Sequence, residues 1–115
     1  MTELSPFQAL QHEDFFMAFM IQLRKDFEGA GAALEERAII PRELSELTQF
    51  LAAQIKRVDR NGLLNGLLYR IDLSEAQIKI AASKQPDLSY EEILADLIIR
   101  RTLQKVILRK KFTSW

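Results

Sequence analysis

The chain contains no cysteine, which excludes disulfides, thiol catalysis and thiolate metal sites. That absence fits a reducing compartment, and a cytoplasmic location is the expectation. Valine occurs only at Val58 and Val106, and the aliphatic residues are mostly Leu, Ile and Ala, a choice that favours helix over strand. No apolar run is long: the longest, Phe15–Ile21 (FFMAFMI), falls far short of the ~20 residues that span a bilayer, so no transmembrane segment is expected. No basic residue precedes an apolar run at the N-terminus, so no signal peptide is legible. Glycine is scarce, at 4 residues, and forms no phosphate-binding loop. Acid is missing from the end of the chain. Beyond Asp96 come Arg100, Arg101, Lys105, Arg109, Lys110 and Lys111 with no Asp or Glu among them, although the net charge is zero.

What is present describes an ordinary globular chain, with 48% hydrophobic and 28% charged residues in 115. That length suits one domain, residues 1–115, and a chain of this size buries roughly two-thirds of its unfolded surface. A helix-start motif recurs: LSPFQ at 4–8, LSEAQ at 73–77 and LSYEE at 88–92. Each places Gln or Glu three residues after a serine, the spacing of a reciprocal cap. In the last two, Leu73 with Ile78 and Leu88 with Ile93 stand at the staple positions. The first has Pro6 at the first helical position but only Ala9 as staple partner. His12-Glu13-Asp14 offers a rival start, with Asp14 as cap.

The periodicity predicts an all-α array of four to five helices over about 5–28, 41–59, 62–72, 74–84 and 89–111. In the first, Ala9, Phe16, Phe19, Met20, Leu23 and Phe27 share a face, and Gly29 and Gly31 end the helix. Residues 32–40 could add a short helical turn, and Ile40 is extended because Pro41 follows. Leu44, Leu47, Leu51, Ile55 and Val58 stripe the second helix, with Arg42, Glu46, Gln49 and Arg57 opposite. Asn61-Gly62 marks a turn. Without it, Leu63, Leu67 and Ile71 would point away from that stripe. Gly66 is expected at a close packing contact. In the last helix, Leu94, Ile98, Thr102 and Val106 form one row and Ala95, Ile99, Leu103 and Ile107 the next. Such rows drift around the helix, so the apolar band is slanted. That suits orthogonal packing and not a coiled coil, because no heptad is sustained.

No catalytic, cofactor or metal constellation is visible, and a non-enzymatic protein is expected. His12 is the single histidine. Its neighbours Glu13 and Asp14 point about 100° apart on a helix and make no ligand set, so a core or capping role is expected. The acidic pairs at 13–14, 35–36 and 91–92 read as solvated or capping groups. Two surfaces remain. Phe15, Met17 and Ile21 lie off the core face of the first helix, which is therefore either the central helix or a contact surface for a protein partner, a homodimer included. Arg101, Lys105 and Arg109, spaced four apart, form a cationic row continued by Lys110 and Lys111, with Phe112 and Trp115 following. It is the alternative site, for nucleic acid or another anionic surface.

Overall fold

A computed structural model describes residues 5–113, with side chains as far as Lys110. The regular structure of the described residues is all helix, in six helices: α1 Pro6–Gln11, α2 Glu13–Gly29, α3 Leu44–Arg60, α4 Leu64–Ile71, α5 Glu75–Lys84 and α6 Tyr90–Thr113. No helix among them is long and apolar enough to cross a membrane.

All three serine motifs form their reciprocal caps. Ser5 and Gln8 exchange bonds of 2.9 and 3.1 Å, Ser74 and Gln77 of 2.8 and 3.2 Å, and Ser89 and Glu92 of 3.2 and 3.1 Å. Each exchange satisfies two backbone N–H groups that a helix start otherwise leaves unpaired. A matching device stops three helices. After α2, α3 and α4 a residue takes the left-handed conformation, namely Gly31, Gly62 and Asp72. The next N–H then reaches back to a carbonyl: Ala32 to Phe27 at 2.9 Å, Leu63 to Val58 at 3.0 Å and Leu73 to Leu68 at 2.9 Å. This is the Schellman closure, with an apolar residue at both ends each time.

The predicted first helix is two helices. His12 is extended (φ −82°, ψ 122°), closing α1 and opening α2. The reason lies in Leu10. In one unbroken helix it would project beside Met17, on the side away from Phe16, Phe19 and Leu23. The break turns it inward, where it is fully buried. The second predicted helix starts later than Pro41, at Leu44. The Glu43 carboxylate accepts the Glu46 N–H at 2.7 Å as the cap, which leaves Pro41 and Arg42 in the connection. Residues 32–40 form no helical turn; a hydrogen-bonded turn from Glu35 to Ala38 (3.0 Å) takes its place.

α6 is the central helix and packs against every other, whereas α2 packs on α1, α4 and α6, and α5 on α6 alone. The slanted band explains this: Leu94, Ile98, Thr102 and Val106 are buried, as are Ala95, Ile99 and Leu103, so different neighbours are met along the helix.

Candidate functional site

The connection from α2 to α3 is held by arginines donating to backbone carbonyls. Arg24 of α2 reaches Glu35 (3.0 Å) and Ala38 (2.8 Å), and Arg57 of α3 reaches Ala32 (3.1 Å). Arg42 reaches Leu10 (2.9 Å), pairs with Glu13 (2.7 Å) and lies over the Phe16 ring. A charged donor satisfies carbonyls that no helix or sheet would otherwise pair. By helical spacing Arg42 and Arg57 fall on the polar side of the second predicted helix. Their partners are far along the chain, so spacing gave no signal. Where this connection meets α3 there is an open cleft of about 380 Å³, with Ala33, Ala38, Ile39 and Phe50 as its apolar lining and Arg57 at its edge.

The three proposed contact residues of α2 separate. Phe15 is half-buried, with the His12 ring edge-on at 5.4 Å and the Lys110 ammonium 5.9 Å from its centroid. Met17 and Ile21 project outward, 48% and 65% exposed. The inner face of the same helix, with Phe19, Leu23 and Phe27, is fully buried.

The basic row of α6 is partly engaged within the fold. Arg101 pairs with Asp72 at 3.0 Å and bonds Gln104 at 2.8 Å. Arg109 donates to Gln22 at 2.8 Å, Lys105 is half-buried on the same row, and Lys110 covers Phe15. The side chains of Lys111 and Phe112, and the whole of Trp115, lie outside the described residues.

Gln22 links this row to a buried carboxylate. Its amide donates to Asp26 Oδ1 at 3.0 Å, and Arg70 of α4 approaches the same oxygen at 3.5 Å. Asp26 is only 5% exposed, and its Oδ2 is buried without a hydrogen bond. Gly29 makes the approach possible: a Cβ there would fall inside the Arg70 guanidinium. Gly66, expected at a close contact, faces open space instead.

His12 is neither core nor side-chain cap. It stands at the α1–α2 break, exposed, with no cap bond from its imidazole. Among the described residues no three His, Cys, Asp or Glu side chains converge as a metal site would require. Among the described carboxylates, Glu92 is held below its ordinary range. The Ser89 backbone N–H is the main cause, followed by the Ser89 hydroxyl and Gln49, as a capping role requires.

Compared with known protein families, curated proteins and solved structures, the chain matches none.

Proposed function

We propose that the protein acts by contact with another protein rather than by catalysis, and that the outward face of α2 is the contact surface. The observation that carries this is the pair Met17 and Ile21, exposed on a helix whose inner face is already filled. A helix that only covers a core presents polar residues outward, and exposed Met and Ile on one rigid helix suit an interface. Work in the cytoplasm belongs to the same proposal and is supported by the cysteine-free composition.

The alternative, anion binding through α6, has weaker support. Arg101 is committed to Asp72, and Arg109 to Gln22.

Chemical cross-linking inside the intact producing cells, before lysis and size fractionation of the extract, tests the contact reading. The wild-type chain is expected to elute in an assembly larger than the monomer. The double variant Met17→Ser, Ile21→Ser is expected at monomer size with its melting temperature retained. Identical elution of the two overturns the proposal.

A further inference from the structure

We infer that the occupant of the α2 face is a second copy of this chain, its α2 antiparallel to the first about a two-fold axis. The inference rests on the reading of that face as a contact surface and adds what sits on it.

The charges on α2 carry the argument. Three of them are committed within the chain: Glu13 to Arg42, Arg24 to the carbonyls of Glu35 and Ala38, and Asp26 to Gln22 and Arg70. Glu28, exposed in the last turn, makes no ion pair among the described residues, and neither do the exposed Asp14 and Lys25. Eleven residues separate them, which brings them within about 20° of each other around the helix. Between them on the same line lie Ala18 and Ile21.

The row Asp14, Ala18, Ile21, Lys25 therefore steps by four, three and four residues. That is the spacing of a helix-to-helix seam, and it is symmetric about the midpoint between Ala18 and Ile21. A two-fold axis at that midpoint sets Asp14 against Lys25 of the second copy and Ala18 against Ile21, at both ends alike. A small residue opposite a large one lets the helices approach, and Met17 flanks the seam beside Ile21 of the second copy. Parallel pairing would instead set Asp14 beside Asp14 and Lys25 beside Lys25, so charge selects the antiparallel arrangement. A closed two-fold contact needs one self-complementary patch, and this row is one.

The seam is only about 17 Å long, at the small end of specific interfaces. The dimer is therefore weak, with a Kd on the order of 10–100 μM.

Sedimentation equilibrium over that range tests the inference. Wild type is expected to be a reversible dimer and Ile21→Glu a monomer with an unchanged circular-dichroism melt. Asp14→Lys and Lys25→Asp each place like charges together twice per dimer, and each is expected to raise Kd by about tenfold. The double reversal is expected to restore the wild-type value. Because the chain lacks cysteine, mixing Ala18→Cys and Ile21→Cys chains under oxidation adds a geometric check. A cross-linked heterodimer is expected, and none from Lys25→Cys alone, whose two copies would lie at opposite ends of the seam.

A wild-type chain that stays monomeric throughout the range overturns the second copy as occupant, and leaves the contact reading to the extract experiment. Self-association lost in Ile21→Glu but not restored by the double reversal overturns the antiparallel register alone. Self-association indifferent to Ile21→Glu overturns both the inference and the reading beneath it.

Discussion

Helices α2 and α6 both carry apolar residues beyond a single face, yet the fold uses them in opposite ways. In α6 the surplus is spread along a drifting band. Leu94 and Ile98 toward one end and Leu103 and Val106 toward the other are all buried, and the helix packs against every other helix of the described residues. In α2 the surplus lies at mid-helix on the side opposite the core, and Met17 and Ile21 stay exposed among the described residues. Apolar content alone does not identify the central helix. What matters is whether the extra residues continue the buried band or stand across from it.

The contrast can be broken most severely from the α6 side. Ile98 is fully buried, and Ile98→Ala is expected to cost about 2–5 kcal/mol in urea unfolding. A loss below about 1 kcal/mol would mean that α6 is not the organising helix. The next largest effect concerns how α2 is tied to α4. Arg70→Met leaves the buried Asp26 with Gln22 as its only side-chain partner among the described residues. Since the Arg70 side chain is 40% exposed, the expected loss is about 1–2 kcal/mol, below that of a fully buried pair. Gly29→Ala, which displaces the same guanidinium, is expected to behave alike, and thermal melts of the two variants compare them.

Caps come next. Ser74→Ala removes one bond of the α5 box and is expected to cost about 1 kcal/mol, read as a lowered denaturation midpoint at constant slope. The α6 cap adds a pH signature. Because Glu92 is held below its ordinary value in the folded chain, its carboxylate contributes stability above the unfolded-state value of about 4.3. That contribution is lost as pH falls through the lowered folded value. The stability difference between wild type and Glu92→Gln is therefore expected at pH 7 and to vanish in acid. A difference independent of pH would assign the cap to hydrogen bonding without charge. The smallest effect sharpens the α2 side: Ile21→Ser is expected to change monomer stability by no more than about 0.5 kcal/mol, in a melt recorded at low protein concentration. A large loss there would place Ile21 in the core.

Much of the fold was legible because its signals are local. The Ser74–Gln77 and Ser89–Glu92 boxes act over three residues, as does the turn at Gly62, and the buried rows of α3 and α6 follow helical spacing. The split at His12 was half legible, since the rival start was visible but the reason for it, the burial of Leu10, is a matter of direction in space. The late start of α3 was not legible. Glu43 is an uncommon cap residue, so no familiar local signal marks Leu44 as the first helical residue. The surfaces followed the same division. The exposure of Met17 and Ile21 could be suspected from their angle, but Phe15 could be set apart only by knowing that Lys110 covers it. Along the sequence the α6 row is a run of cations, and only the fold sets Asp72 and Gln22 beside it.

The sequence by itself determined that this chain is helical, where most of its helices begin and end, and which residues line their inner faces. Those properties depend on groups within a turn or two of one another. Only the tertiary structure decided that α6 is central, that arginines close the α2–α3 connection, and that Asp26 and Arg70 meet over Gly29. Each of these joins residues on different elements, and their distance depends on how the helices cross rather than on any spacing along the chain.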